Sequence, residues 1–275
     1  MSKTAIILLN RNLPDVTDAL YDELKSCSSS VADIFVIESG SDSQNLSSHM
    51  SYYANWPEAL NNGLRYSGGM NFGLMNVRND FPGVYDSYLL LANDTKFLTS
   101  NPVQKLRSVL LETEKCGIVS PIGENWGESL IMQDGKPKAF WHIHNNCYLL
   151  SESLVSNLVV QNSDYRSYLF DASNFRGYGA DTELIAKAYL NGFQAVIAPD
   201  VCSRELTELL RERYSVIKTD TESQNFSLYI EEGLQWMKSK YGFSSRWDMN
   251  NFALMAYRQF FAWHKSLASD YSIVN

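Results

Sequence analysis

Tyr88-Leu89-Leu90-Leu91-Ala92-Asn93-Asp94-Thr95, YLLLANDT, is the stretch around which the rest of the chain is read. Five apolar or aromatic residues in unbroken succession suit a strand covered on both faces. The run then gives way at once to an amide, a carboxylate and a hydroxyl. In an open parallel sheet, ligands bind outside the carboxyl ends of the strands, so Asn93, Asp94 and Thr95 stand where chemistry is expected. Asp94 is suited to a hard divalent cation, because Mg2+ takes one or two protein carboxylates and completes its shell with phosphate and water. The same three residues also form a good Asx turn, and the local sequence does not choose between the two.

The layout recurs on the N-terminal side. Residues 5–9 (AIILL) read as a buried strand running into Asn10-Arg11-Asn12, and residues 34–37 (IFVI) run into Glu38-Ser39-Gly40-Ser41-Asp42. Pro14 suits the first turn of a helix, with Leu20 and Leu24 on one face. Residues 68–77 predict a short helix after a glycine turn.

On the C-terminal side, Asn101 reads as an N-cap with Pro102 at the first helical position, and Leu106, Val109 and Leu110 face inward. Residues 118–119 continue the sheet, 123–137 predict a loop, and 139–150 return to a strand-like pattern. Residues 182–191 predict a helix stopped by Gly192, followed by a strand at 195–198. Alternating strands and helices imply a mainly parallel sheet flanked by helices.

Past about residue 203 the character changes to helix, at 205–213, 226–240 and 249–267. The last of these spaces Phe252, Ala256, Phe260, Trp263 and Leu267 at helical intervals, with Tyr257 and Phe261 off the stripe. The expected organisation is an α/β domain over 1–203 with a helical extension over 204–275 packed on it.

A formal net charge of −8 over 275 residues argues against a nucleic-acid partner while leaving room for a small basic pocket. Cys27, Cys116, Cys147 and Cys202 are scattered, which predicts reduced thiols rather than a zinc ribbon. The apolar run after Lys3 is too short for a signal peptide, and no run is long enough for a transmembrane segment. A cytoplasmic protein is therefore expected. No glycine-rich turn follows the first strand, as a dinucleotide-binding or methyltransferase fold would want. A nucleotidyltransferase would open on a glycine-rich basic loop, and no G-x-S-x-G elbow points to a serine hydrolase.

Two further groups carry chemistry. Asp181 lies in 170–184 (FDASNFRGYGADTEL), where a helix begins. It suits an N-cap and equally a catalytic carboxylate, and the two roles are compatible. His142 and His144 form an H-x-H pair that a strand would point one way. The pair is open to three readings: a zinc pair, a contact to phosphate or acceptor, or plain structural histidines. Trp141 is open to stacking on sugar or to core packing.

In order, ILLNRN (7–12), IESGSD (37–42), NNGLRYSGGMNFG (61–73), YLLLANDT (88–95), FRGYGADTEL (175–184) and MKSKYG (237–242) resemble the family 2 inverting glycosyltransferases. The likeness is greatest to their bacterial rhamnosyltransferase-like branch. It covers roughly 4–200, with a weaker echo near 237–242.

The resemblance implies a GT-A (Rossmann-like) fold, a nucleotide-sugar donor such as a UDP- or dTDP-sugar, and Mn2+ or Mg2+. It also implies an acceptor hydroxyl on a glycan or glycolipid, in polysaccharide biosynthesis. Asp94 falls on the metal-binding position of the DXD-like motif, Glu38 and Asn10 on nucleoside contacts, and Asn71 on the glycine-rich donor segment. Arg11, Ser39, Gly69 and Asn93 fall beside them in the donor set, and Asp181 on the general base.

The sequence departs from the family at Ala92, where an acidic residue is usual, and at Glu38, where the family has aspartate. The histidine expected after the last strand is replaced by Val201-Cys202-Ser203. A catalytically silent GT-A module that binds nucleotide-sugar or glycan is the competing expectation. The aromatic C-terminal helices predict intramolecular packing or a homodimer interface ahead of peripheral membrane contact, because a basic polar face is lacking.

Overall fold

The computed structural model describes residues 3–274, apart from 125, 144–146 and 219 and the side chain of 210. In chain order the elements are β1 (Lys3–Asn10), α1 (Pro14–Ser28), β2 (Ala32–Glu38), β3 (Met50–Tyr53), α2 (Pro57–Asn62), α3 (Arg65–Asp80) and β4 (Tyr85–Ala92). They continue with β5 (Thr95–Phe97), α4 (Pro102–Glu112), β6 (Cys116–Gly123), α5 (Glu128–Ile131), β7 (Lys138–Ala139), β8 (Cys147–Ser151) and α6 (Glu152–Leu158). The C-terminal part holds α7 (Ala180–Leu190), β9 (Gln194–Glu205), α8 (Thr207–Arg213), α9 (Glu222–Tyr241), α10 (Arg246–Trp263) and α11 (Lys265–Tyr271).

Among the described residues the strands form one nine-stranded sheet in the order β3-β2-β1-β4-β8-β6-β9-β5, with β7 also pairing β9. Strands β1, β2, β3, β4, β6 and β9 point one way, and β5, β7 and β8 run against them. The mainly parallel sheet flanked by helices is as the alternation predicts. The apolar runs are its centre: Ile6, Ile7, Leu8, Leu89, Leu90 and Leu91 are fully buried. Each such side chain contributes about 1.5–3 kcal/mol of apolar burial. Register aligns the strand ends, with Asn10 opposite Glu38 and Leu9 opposite Ala92. Three polar exits thereby meet at one edge of the sheet.

The helix expected over 68–77 runs longer, from Arg65 to Asp80, and a left-handed glycine, Gly63 (φ 70°), precedes it. Gly68, Gly69 and Gly73 lie inside α3, although glycine weakens a helix interior by about 1 kcal/mol. Packing explains them. A Cβ on Gly69 would meet Leu9 Cδ1 at 2.4 Å, and one on Gly73 would meet Ile7 and Ile37 at 2.6 and 2.7 Å. Bare backbone on that face lets α3 seat directly on β1 and β2.

Other expectations shift for identifiable reasons. Asn101 adopts a left-handed conformation and makes no side-chain cap. The predicted loop at 123–137 contains the short helix α5. Residues 139–150 are not one strand: β7 ends at Ala139 and β8 starts at Cys147, so Trp141 and His142 lie in irregular chain. His144 lies outside the described residues. Glu205 ends β9 rather than opening a helix.

The predicted final helix breaks at His264 (φ −117°, ψ 60°) into α10 and α11. Trp263 is 70% exposed, whereas Ala253, Ala256, Tyr257, Phe260 and Phe261 are buried. The stripe read from Phe252 to Trp263 is therefore rotated, because Tyr257 packs edge-on to Tyr189 of α7 at 5.3 Å. That face of α10 belongs to the same hydrophobic core as the sheet.

Helix α9 is fastened by charge. Glu183 on α7, 1% exposed, accepts from Lys240 at 2.8 Å, from Lys187 at 3.1 Å and from the Tyr241 hydroxyl. Lys240 also reaches Asp171 at 2.7 Å. A buried carboxylate is tolerable only when paired and hydrogen-bonded in this way. All four cysteines are free thiols. Among the described residues no helix is long and apolar enough to cross a membrane.

Candidate functional site

The polar exits of β1, β2 and β4 are bound into one frame. Asn10 donates through Nδ2 to both oxygens of the buried Glu38, each at 3.0 Å. Its Oδ1 accepts from Thr17 Oγ1 at 2.8 Å and from Asn93 Nδ2 at 3.2 Å. Ser41 Oγ and the Ser47 N–H donate to Glu38 at 2.5 and 2.7 Å, so each carboxylate oxygen holds two donors. Glu38 therefore acts behind the site, fixing Asn10 and the Ser41–Ser47 turn.

Arg11 is similarly committed. Its guanidinium donates to the carbonyls of Ile217 (2.8 Å), Ser39 (3.2 Å) and Ala59 (3.3 Å). Burial, then Arg65 nearby, lowers its pKa to about 10. Ser39 Oγ accepts from the Leu64 N–H at 2.8 Å.

In front of this frame lies a cavity of about 370 Å³, whose wall includes Asn10, Arg11, Ser39, Asn93 and Asp94. Asp94, 6% exposed, stands two residues past the end of β4. Its carbonyl accepts from the Leu206 N–H at 2.8 Å, and the neighbouring Thr95 pairs with Glu205 in the β5–β9 ladder. That pairing brings Glu205 onto the same wall. Glu205 is exposed as a residue, but protein crowds its carboxyl. Burial, then the negative charge of Asp94, pushes its pKa up to about 7.

Two carboxylates on one cavity wall, near enough for one to raise the pKa of the other, either share a proton or gather a cation. The oxygen-only donor pair fits Mg2+ or Mn2+. Among the described residues no group of three or more His, Cys, Asp or Glu converges on a metal position, so this pair alone would leave most of a cation's shell to be filled from outside the protein. Sequence reasoning missed Glu205, since its partner Asp94 is far away in the chain. The lost histidine after the last strand was the only hint.

The same cavity is also lined by Arg65 and Arg176. Arg176 pairs with Asp220 at 2.5 Å and with Glu232, and Arg65 stands 3.8 Å from Asp220. The chain between α8 and α9 closes the outer side. Asn12 donates to the Val216 carbonyl at 2.9 Å, Arg11 to that of Ile217, and Lys218 pairs with Asp42 at 2.5 Å.

Asp181 is not the N-cap of α7. Gly179 (φ 77°) holds that position and Asp181 sits two residues on, in the first turn. Its Oδ1 accepts from the Thr182 N–H at 2.7 Å, while Oδ2 accepts no hydrogen bond among the described residues. Asp181 does not line the cavity, yet its charge reaches two tyrosines that do. Tyr66 is pushed well above its ordinary pKa by burial, then by Cys147, Asp181 and Asp94. Tyr229 is raised by burial, then by Asp181.

His142 Nδ1 lies 3.4 Å from Thr182 Oγ1, beside Asp181. Trp141 packs edge-on to Tyr257 at 5.5 Å. Asn71 and Gly69 lie within α3 and are not among the residues lining the cavity. Gly69 faces Leu9, and Asn71 bonds four backbone groups of the 165–170 segment.

No protein-family model matches the chain, and no curated protein does. Among solved structures the fold is similar to the mannosyltransferase PcManGT from Pyrobaculum calidifontis in complex with GDP-Man and Mn2+ (TM-score 0.51, 12% identity, covering 97% of this chain and 75% of that one). It is also similar to GalNAc-T7 with UDP, GalNAc and Mn2+ (TM-score 0.56, 8% identity, 98% and 58%). The chain thus spans less than two thirds of the length of the second. The fold is GT-A.

Proposed function

We propose that this protein is a glycosyltransferase that moves a sugar from a nucleoside-diphosphate donor to an acceptor hydroxyl on a glycan or glycolipid. The observation carrying this reading is the Asp94–Glu205 carboxylate pair, on the wall of a cavity at the strand ends of a GT-A fold. The motif order favours an inverting enzyme of the family 2, rhamnosyltransferase-like branch, a UDP- or dTDP-sugar as donor, and polysaccharide assembly as the setting.

The residues divide the work along the cavity. Asn10, Ser39 and Asn93 present fixed polar edges to the nucleotide, held by Glu38 behind them. Asp94 and Glu205 would hold Mn2+ or Mg2+, which when bound neutralises charge on a departing diphosphate. Asp181 takes the proton of the acceptor hydroxyl as that oxygen attacks the anomeric carbon. The Thr182 N–H fixes Oδ1 and orients Oδ2 for this task.

The test is thermal unfolding with UDP, dTDP, GDP, CMP and NAD, each with and without Mn2+. A single nucleoside diphosphate is expected to raise stability by about 2.7 kcal/mol at a hundredfold excess over Kd, only with Mn2+. Asp94→Ala should remove the shift. A flat response to every nucleotide with Mn2+ present would sink the reading. Binding without transfer to any acceptor would instead leave a silent GT-A module.

A further inference from the structure

Tyr66 is the second residue of α3, just after Arg65, a non-glycine residue in left-handed backbone (φ 54°). Such a conformation is uncommon for a bulky residue and fixes how the first turn enters the cavity wall. The Tyr66 ring lines the cavity with Asp94 and rests edge-on against Phe170 at 5.8 Å. Its hydroxyl is shielded from water and has no hydrogen-bond partner among the described residues. Buried polar groups are almost always paired, so an idle phenol on a residue of the same cavity wall as Asp94 calls for a ligand. Burial and the surrounding negative charge keep that phenol protonated, and it remains a hydrogen-bond donor at any physiological pH.

Its position says which part of a ligand it would meet. Asp94 marks the leaving-group end and Asp181 the acceptor end, and Tyr66 lies within electrostatic reach of both. In a direct displacement the transferred sugar stands between leaving group and incoming nucleophile. We propose that Tyr66 is a specificity residue whose O–H donates to a hydroxyl oxygen of the transferred sugar. This rests on the transferase reading above.

The assignment separates three quantities that a merely structural tyrosine would not. Tyr66→Phe removes a group that bonds nothing in the empty protein, so its unfolding midpoint is expected to stay the same or rise. Calorimetry with Mn2+ then compares two probes. One is whichever of UDP-glucose, dTDP-rhamnose or GDP-mannose binds the native protein most tightly. The other is the matching nucleoside diphosphate.

The nucleotide-sugar is expected to bind the variant about tenfold more weakly, the loss of one hydrogen bond. The diphosphate should bind within about twofold of native. Equal weakening of both probes, no weakening of either, or a midpoint several degrees lower would each overturn the assignment to the sugar. If the native protein binds none of these nucleotides, the transferase reading fails and this inference with it. Native binding that the variant leaves unchanged removes Tyr66 alone.

Discussion

Asp181→Asn is expected to lower the turnover number by about 10²- to 10⁴-fold, the contribution typical of a positioned general base, with donor binding within about twofold of native. The substitution is nearly isosteric. An amide oxygen still accepts from the Thr182 N–H, as Oδ1 does at 2.7 Å, so α7 keeps its first turn. What disappears is the ability to take a proton. Steady-state turnover at saturating donor, set beside the donor-induced thermal shift, checks both halves. Unchanged turnover would move the base elsewhere, and His142, next to Thr182, would be examined next. Loss of donor binding together with turnover would make Asp181 part of the donor site.

The second large effect is on stability. Asn71 is fully buried. Its Nδ2 donates to the carbonyls of Tyr165 and Phe170 at 2.7 and 2.8 Å, and its Oδ1 accepts from the Leu169 and Phe170 N–H groups at 3.0 and 2.9 Å. Asn71→Leu keeps the approximate volume and leaves all four backbone groups without a partner. At about 1–3 kcal/mol for each unpaired buried group, with some relaxation, the expected loss is about 3–5 kcal/mol in urea unfolding. That is a large part of the 5–15 kcal/mol typical of a folded protein. Asn71→Asp should recover part of it, because a carboxylate accepts from both N–H groups but cannot donate to the carbonyls. A loss below about 1 kcal/mol for Asn71→Leu would show that the 165–170 segment is held mainly by its other contacts.

What the sequence disclosed follows from the range of the interactions. Strand exits are local, and β1, β2 and β4 could be read from apolar runs that stop abruptly at Asn10, Glu38 and Asn93. The motif order went further. Lys240 and Tyr241 in MKSKYG meet Glu183 in the TEL that closes FRGYGADTEL, so two separated pieces of one pattern prove to be in contact.

Glu205 was hidden because its significance depends on antiparallel pairing with Thr95, and nothing beside it in the chain carries that register. The purpose of the glycines in α3 was hidden for a related reason. Locally they only weaken a helix, and the closeness of Leu9, Ile7 and Ile37 is what makes them a packing face. On α10 the spacing fitted two overlapping stripes, and Tyr189 on another helix decided that Tyr257 faces inward. Asn71 was expected in the donor set, but its side chain bonds the 165–170 backbone and is not among the residues lining the cavity.

The antiparallel strand β8 sits between β4 and β6, pairing Leu91 with Cys147 and Ser87 with Ser151. A ribosome delivers the chain in sequence order, at about 5–20 residues per second. The first half of the sheet, β3-β2-β1-β4, is therefore out several seconds before any partner exists for the far edge of β4. That edge is YLLLA, an apolar row of unpaired backbone groups of the kind that recruits other chains. The strand that carries Asp94 to the cavity is thus also where the nascent protein is most exposed to mispairing.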